Sequence, residues 1–302
     1  MNSIKNEIEQ LKKEKNAVIL AHYYVPDEVQ EIADYIGDSF YLSKIAKNTD
    51  ADVIVFAGVS FMGESAKILN PDKTVLLPDG EADCAMAHMA TMEKVKEMRE
   101  QYEDLAVVCY INSTAELKTV SDVCVTSANA VKIVRALPNK NIFFIPDGNL
   151  AAYVAEQVPE KNVIPNDGFC PVHKAVTPES ILALKKQYPD AEFLVHPECI
   201  KDVLALADFV GSTSAIIQYA QKSEKKEFLV GTEEGVMYEL RKKCPDKIFH
   251  SAMQGNQCKD MKMVTLKKVR DSLKNGVHTV EVSEKTREGA KRALDAMLNL
   301  AK

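Results

Sequence analysis

The sequence has no CxxC pair, no long apolar run and no block of like charges, and each absence excludes a class of protein. Without CxxC pairs, the local sequence holds no zinc ribbon and no ferredoxin-type cluster motif. The apolar run at Val53–Ala57 is far shorter than the roughly 20 residues that a membrane-spanning helix needs. The net charge of −6 argues against a basic face for nucleic acid or anionic membranes. We therefore expect no nucleic-acid partner and no membrane association.

The first residues include no apolar signal segment, so we expect a cytoplasmic protein. Hydrophobic residues make up 46% and charged residues 27%, which is typical of a packed globular chain rather than a disordered one. At about 150 residues per domain, 302 residues predict two domains or three small ones. Seven cysteines, an odd number, argue against a disulfide scaffold and favour either core packing or metal ligation.

A repeat of about 87 residues runs through the whole chain. Asp34, Asp122 and Asp208 lie in similar segments and are separated by 88 and 86 residues. The same two offsets connect residues that follow apolar runs: His22, Tyr110 and His196, and then, two positions later, Tyr24, Asn112 and Glu198. Apolar runs alternate with helical segments, as in parallel βαβ units. We therefore predict an α/β fold of three similar αβα domains with small parallel sheets, related by pseudo-threefold symmetry through internal triplication.

The repeat also sets the expected domain boundaries. Repeat 1 covers residues 1–90, repeat 2 covers 91–176 and repeat 3 covers 177–265, and we expect the tail, 266–302, to pack on repeat 1. Three threonines separated by 86 and 88 residues stand just before helical stretches, where each is expected to act as an N-cap: Thr91, Thr177 and Thr265.

Three of the cysteines, Cys84, Cys170 and Cys258, occupy equivalent loops of the three repeats. Ligands of open parallel sheets bind beyond the carboxyl ends of the strands, so we expect these loops to meet at one cavity. Three protein ligands leave one metal position open for substrate. In a cubane iron–sulfur cluster they would hold three irons and leave the fourth as a Lewis acid. Three other cysteines are expected to be small buried hydrophobes: Cys109, Cys124 and Cys244.

Hydroxyl side chains precede a helical stretch in each repeat, at Ser39, at Ser127 and at the pair Ser212 and Thr213. Each is expected to cap its helix. If the three helix starts face one cavity, they can also bind carboxylate or phosphate groups, because helix N-termini attract anions.

The histidines differ in their surroundings. His22 and His196 hold matching repeat positions, and each has a polar partner two residues later on the same strand face. His173 follows Cys170 by three residues and shares its loop. Together with Tyr24 and Glu198, these histidines would supply proton donors and acceptors for carbonyl chemistry. The other three are expected at the surface or in packing roles: His88, His250 and His278.

At these residues the sequence closely resembles the quinolinate synthase family. The resemblance covers nearly the whole chain, and the combination of segments is specific although each one alone is weak. It implies three similar αβα domains and a [4Fe-4S] cluster held by Cys84, Cys170 and Cys258. The matching segments are His22-Tyr-Tyr24, Gly37-Asp-Ser39, Asn70-Pro-Asp-Lys73, Cys84-Ala-Met-Ala87, Tyr110-Ile-Asn-Ser-Thr-Ala115, Thr126-Ser-Ala-Asn-Ala130, Cys170-Pro-Val-His173, His196-Pro-Glu-Cys199, Gly211-Ser-Thr213 and Cys258-Lys-Asp-Met-Lys262.

The resemblance also implies an activity. Members of the family condense iminoaspartate with dihydroxyacetone phosphate to quinolinate, with loss of phosphate and water, in de novo NAD biosynthesis, and the open iron acts as the Lewis acid. L-Aspartate oxidase and aspartate dehydrogenase are the implied candidates for supplying the imine. The implied catalytic positions are Tyr24, His196, Glu198 and His22. The implied substrate-binding positions are His22, Ser39, Tyr110, Asn112, Ser127, His173, Ser212 and Thr213.

Three other interpretations stay open at this point. The same cysteines would suit another hydro-lyase with an iron–sulfur cluster. A non-catalytic iron–sulfur sensor would need a partner surface or a basic DNA-binding element, and the sequence shows neither. Zinc bound by the three cysteines and His173 would give a colourless protein.

Overall fold

The computed structural model describes residues 2–302, and in that range the strands form three four-stranded sheets, all of them parallel. The first has the order β2-β1-β3-β4, with β1 (Ala17–His22), β2 (Tyr35–Gly37), β3 (Val53–Ala57) and β4 (Thr74–Leu76). The second has the order β6-β5-β7-β8, with β5 (Leu105–Tyr110), β6 (Val123–Val125), β7 (Asn141–Ile145) and β8 (Asn162–Pro165). The third has the order β10-β9-β11-β12, with β9 (Glu192–Val195), β10 (Phe209–Val210), β11 (Glu227–Gly231) and β12 (Ile248–Ser251). The identical order confirms the predicted α/β class and its threefold repeat.

Helices connect and cover these strands. Those of the first repeat are α1 (Asn2–Glu14), α2 (Asp27–Glu31), α3 (Ser39–Asn48), α4 (Ser60–Leu69) and a 3₁₀ turn, Ala85–His88. Those of the second are α5 (Met92–Gln101), α6 (Ala115–Thr119), α7 (Ala130–Ala136), α8 (Gly148–Gln157) and α9 (Pro171–Lys174). Those of the third are α10 (Pro178–Gln187), α11 (Lys201–Leu204), α12 (Thr213–Lys222), α13 (Val236–Lys243) and α14 (Lys259–Met263), and the tail adds α15 (Leu266–Asn275) and α16 (Glu284–Leu300). Between residues 2 and 302, no helix is both long and apolar enough to cross a membrane.

The aspartates that revealed the repeat make the same contacts in each copy. Each carboxylate accepts the N–H of a strand residue 15 positions earlier, at 2.7 or 2.8 Å, and each aspartate N–H returns a bond to that residue's carbonyl. The pairs are Asp34 with Ile19, Asp122 with Val107, and Asp208 with Phe193. These bonds fix the turn from the first to the second strand, so the spacing of the aspartates reflects a shared backbone geometry.

Helix caps agree with the sequence in part. Thr91, Thr177 and Thr265 accept backbone N–H groups and cap α5, α10 and α15, as predicted. Ser212 caps α12. The prediction was wrong at two serines. Asp38, not Ser39, caps α3, because the carboxylate of Asp38 accepts the N–H of Tyr41. Helix α7 begins after Asn129 rather than after Ser127.

The tail extends across two repeats. Helix α15 packs against α1 and β3 of the first repeat. Residues 277–282 run beside β4, with an antiparallel bridge between Leu76 and Thr279. Helix α16 instead packs mainly on α6 and β6 of the second repeat and also touches α4. The exact domain boundaries stay a prediction.

Candidate active site

Residues that follow strands of all three sheets line one cavity, with a volume of about 80 Å³. This is the arrangement expected at the carboxyl ends of parallel strands. Of the predicted site residues, only Ser212 is absent from the lining, because its hydroxyl caps α12. Those that the cavity brings together are His22, Tyr24, Ser39, Cys84, Tyr110, Asn112, Ser127, Cys170, His173, His196, Glu198, Thr213 and Cys258.

The cavity has no lysine or arginine among the lining residues that the structure describes. Anionic groups must therefore be held by neutral donors. Ser39 and Thr213 line the cavity as the first residues of α3 and α12. The N-terminal N–H groups of α12 favour negative charge, whereas the start of α3 already carries the carboxylate of Asp38, which lines the cavity too. The buried Oδ1 of Asn112 has no hydrogen-bond partner within residues 2–302, so this amide is free to bind a ligand. Part of the wall is apolar and includes the buried side chains of Phe61 and Met62.

The two histidines at equivalent positions also have equivalent hydrogen bonds. Nδ1 of His22 accepts the N–H of Tyr24, and Nδ1 of His196 accepts the N–H of Glu198, both at 3.3 Å. Neutral rings with this arrangement have their proton on Nε2. Nε2 of His196 lies 3.1 Å from the hydroxyl of Ser127. Burial lowers the pKa of His22 to about 3 and that of His196 to about 4, so both rings are neutral near pH 7.

Glu198 is the buried carboxylate at the centre of the site. Its Oε1 accepts the phenol of Tyr110 at 2.6 Å, and its Oε2 lies 2.8 Å from Nδ1 of His173. Burial raises the pKa of Glu198, but the nearby His173 and His196 and these two hydrogen bonds outweigh burial and lower it. Glu198 is therefore ionised, and its charge has defined donors on both oxygens.

Tyr24 contributes a neutral phenol. Its hydroxyl lies 2.7 Å from Thr213 Oγ1 and 2.7 Å from Thr232 Oγ1. Burial, and next the charge of Glu198, raise the pKa of Tyr24 well above its usual value. The phenol thus keeps its proton and can act as a donor.

The three repeat cysteines stand in the wall between this cavity and a depression on the outer surface, because Cys84, Cys170 and Cys258 line both. All three are free thiols with partial exposure. Burial raises the pKa of Cys84 to about 12 and of Cys258 to about 11, and that of Cys170 is also raised. Thiols in such a setting lose their protons when a metal binds.

This donor set fits a [4Fe-4S] cluster, since three thiol ligands from three loops reach one wall of the cavity. A second metal-binding group overlaps it. Ligand atoms of Cys170, His173 and Glu198 all lie within 4.8 Å of one another, which is a spacing that a single metal ion can bridge. The remaining cysteines are core residues, as expected for Cys109, Cys124 and Cys244.

Sequence reasoning missed several polar residues at the site, namely Asp38, Asp83 and Thr126 in the lining and the neighbouring pair Thr232 and Glu233. Thr232 and Glu233 directly follow β11 and are buried, with 0% and 1% exposure. Glu233 lines the cavity, and Thr232 contacts both Tyr24 and His173. The sequence did offer one indication of these residues, because a hydroxyl and a carboxylate side chain directly follow this strand. The repeat did not, because Gly58 and Pro146 occupy the position of Thr232 in the other two copies.

Comparison with known proteins agrees with this geometry. The family described as quinolinate synthetase A protein matches residues 6–299 of the chain. A quinolinate synthase of Caldicellulosiruptor saccharolyticus is 52% identical over 301 residues, which cover 100% of this chain and 99% of the relative. One of Fusobacterium nucleatum is 53% identical over 298 residues, or 99% of each chain. One of Clostridioides difficile is 51% identical over 296 residues, 98% of this chain and 96% of the relative. With matches of this extent, the chain belongs to the quinolinate synthase family.

Proposed function

We propose that this protein is an enzyme of de novo NAD biosynthesis that condenses iminoaspartate with dihydroxyacetone phosphate to quinolinate, releasing phosphate and water. One observation carries the proposal. The cysteine from each repeat lines the same cavity as Tyr24, His196 and Glu198. Membership of the quinolinate synthase family over nearly the full length of the chain supports the same reaction.

Cys84, Cys170 and Cys258 are the residues that would hold a [4Fe-4S] cluster. The bound cluster would supply a Lewis-acid iron with a position open to substrate. Partial exposure of all three thiols toward the outer depression gives an entry route for iron and sulfide.

The substrates are anions, and the cavity binds them without cationic side chains. Thr213 presents the N-terminus of α12, Ser39 and Ser127 add hydroxyls, and that of Ser127 is oriented by His196. Asn112 offers an unpaired amide oxygen to a hydroxyl or imine N–H. Tyr110 and His173, assigned to substrate binding with His22, both contact Glu198 and so border the reacting atoms.

Proton transfers are assigned to Tyr24, His196 and Glu198. The phenol of Tyr24 is a neutral donor, whereas Glu198 is an anionic acceptor in the same enclosed space. His196 is neutral and directs Nε2 toward Ser127, so it can pass a proton through that hydroxyl. His22, the equivalent residue of the first repeat, supports the backbone of Tyr24.

A mononuclear metal enzyme is the second candidate, because Cys170, His173 and Glu198 form a set of metal ligands by themselves. That site would bind zinc without colour, whereas a cluster gives a brown protein with four irons and sulfides. Another iron–sulfur hydro-lyase would share the cluster but not the product. The supplier of the imine and the cytoplasmic location stay predictions.

The experiment is an anaerobic assay of the iron-loaded protein with iminoaspartate generated in situ and dihydroxyacetone phosphate. Tyr24→Phe removes the phenol proton and Glu198→Gln removes the carboxylate charge, and both substitutions nearly keep the side-chain volume. We expect quinolinate from the unaltered protein and a loss of about 10²–10⁴-fold in each variant. Full activity in both variants would contradict the proton-transfer roles assigned to Tyr24 and Glu198. If the unaltered protein forms no quinolinate at full iron content, the proposed reaction is wrong.

A further inference from the structure

Tyr24, a residue of the first repeat, is held at both ends by the third repeat. At one end its hydroxyl lies 2.7 Å from Thr232 Oγ1. At the other its backbone carbonyl accepts the ammonium of Lys262 at 2.6 Å. Its hydroxyl also lies 2.7 Å from Thr213 Oγ1, so three side chains of the third repeat fix one residue of the first.

Thr232 joins Tyr24 to the carboxylate centre. Its hydroxyl also lies 3.0 Å from Nε2 of His173, whose Nδ1 is 2.8 Å from Glu198. Thr232 is fully buried, so no water can replace its hydroxyl without displacing neighbours. One hydroxyl has one proton and two lone pairs, and here it serves a phenol and an imidazole at once.

Glu233 joins Tyr24 to a cysteine loop. Its carboxylate accepts the N–H of Cys258 at 3.3 Å and the N–H of Gly235 at 2.7 Å. The same carboxylate pairs with Lys262 at 2.9 Å, and Lys262 in turn holds the carbonyl of Tyr24. The carboxylate is almost completely buried, so this ion pair is much less exposed to solvent than a surface pair.

Gly235 lets the two repeats approach closely. A Cβ atom at this position would lie 2.6 Å from both Tyr23 O and Tyr24 Cα, closer than any side chain tolerates. The amide of Gln30 crosses the same contact and donates to the carbonyls of Tyr23 and Gly235, both at 2.9 Å. The backbone of Tyr24 thus rests directly on the turn that contains Thr232 and Glu233.

We propose that Thr232 and Glu233 are positioning residues, which hold Tyr24 against His173 and couple it to the loop of Cys258. The inference rests on the proposed function for the role of Tyr24 in proton transfer. Neither residue needs to touch substrate. Thr232, together with Thr213, fixes where the phenol points, and it alone links the phenol to His173. Glu233, through Lys262, fixes the backbone from which the side chain projects.

The first test removes the Thr232 hydroxyl without changing its shape. In Thr232→Val we expect kcat to fall by about 10–100-fold with little change in KM, because a misplaced reacting group lowers the rate rather than the binding. Thr232→Ser restores the hydroxyl and should return kcat to within a few-fold. Iron content should stay at the level of the unaltered protein in both. Ser272→Ala, which removes an equally buried hydroxyl from α15, is the matched control.

The second test breaks the ion pair. Glu233→Gln keeps an oxygen for the N–H of Cys258 but loses the charge that holds Lys262, and Lys262→Met removes the bond to Tyr24. We expect each to lower kcat by about tenfold with iron retained. The control is Lys243→Met, which unpairs another buried carboxylate of the third repeat, Glu239, from a lysine 2.8 Å away.

A measurement without substrate separates this inference from the proposed reaction. The melting temperature of the metal-free protein is compared for Thr232→Val, Tyr24→Phe and the double variant. If the hydroxyls stabilise each other, the double variant melts no lower than the more unstable single variant. Additive losses overturn the inference, as does unchanged kcat in Thr232→Val. Failure of the unaltered protein to form quinolinate would instead overturn the reaction and leave this comparison intact.

Discussion

The phenol of Tyr110 donates a 2.6 Å hydrogen bond to Glu198, across 88 positions of the chain. The two residues belong to different repeats and hold different positions within them. Tyr110 is equivalent to His22 and His196. Glu198 lies two positions further along its repeat and is equivalent to Tyr24 and Asn112. Equivalent strand ends of the three repeats thus line one cavity, and different residues at those ends supply a donor and an acceptor. The bond orients Glu198 and lowers the pKa of its carboxyl.

We predict that Tyr110→Phe lowers kcat/KM by about 10–100-fold, because Glu198 loses one of its two donors in a buried site. The assay is anaerobic quinolinate formation at matched iron content. Tyr153→Phe is the control, since Tyr153 is a partly buried tyrosine of α8 outside the cavity lining. Equal losses in both variants would show that the effect belongs to packing rather than to the bond with Glu198.

Stability should fall as the pH is lowered from 7 to 5. The pKa of His22 is lowered to about 3 and that of His196 to about 4, whereas both titrate near 6.5 in the unfolded chain. Between those values the unfolded state binds protons that the folded state does not, so folding weakens by up to about 1.4 kcal/mol per pH unit for each ring.

Urea unfolding of the metal-free protein at pH 7, 6 and 5 measures this dependence. His196→Gln removes one of the two titrating rings, so its stability should change less steeply with pH than that of the unaltered protein. A free energy of unfolding that stays constant from pH 7 to pH 5 would contradict the prediction.

The aspartate contacts predict a stability effect with little effect on chemistry. In Asp122→Ala the N–H of Val107, in a buried strand, loses its acceptor, which costs about 1–3 kcal/mol. Asp122→Asn keeps an acceptor oxygen and should recover part of the loss. Urea unfolding measures both, with the exposed Asp190→Ala as reference. An Asp122→Ala protein as stable as the reference would show that the repeated bonds are incidental.

Substitution by alanine should lower the activity at one glycine and the stability at another. Gly235→Ala places a Cβ against the backbone of Tyr23 and Tyr24, so we expect kcat to fall by about tenfold or more. Gly276 has φ +64° at the end of α15, with open space around it, so alanine there should lower stability by about 1 kcal/mol and leave kcat unchanged. Activity assays and thermal melts of the two variants distinguish these outcomes, and a Gly235→Ala enzyme with full activity would contradict the close contact.

Much of the fold could be predicted from the sequence because the repeat is a physical constraint. Buried parallel strands need continuous apolar runs, and the turn after each first strand needs an aspartate at a fixed distance, so three copies of both are visible in one chain. The packing of α16 on the second repeat was not predictable, since its apolar face fits any hydrophobic neighbour.

The residues of the candidate site also fall into two groups, those that the sequence could predict and those that it could not. Residues that recur at equivalent positions, such as Cys84 and His196, could be found by comparing repeats. Thr232 has no counterpart, because Gly58 and Pro146 occupy its place in the other repeats. Glu233 shares its position with a carboxylate only in the second repeat, Asp147, while Val59 stands there in the first. Their importance comes from contacts with another repeat, and such contacts depend on how the three units meet. Ser39 was misassigned as a cap for a local reason, since Asp38 competes for the same N–H groups.

The central claim is that one cysteine from each repeat holds a cluster that the reaction requires. The most direct measurement is anaerobic quinolinate formation together with iron and sulfide per chain, for the unaltered protein and for Cys84→Ala, Cys170→Ala and Cys258→Ala. Cys124→Ala, a core cysteine, is the control. We predict four irons and product in the unaltered protein and control, and loss of both cluster and product in each of the three variants. Product formation that persists in any of these three variants after its cluster is lost would contradict the account.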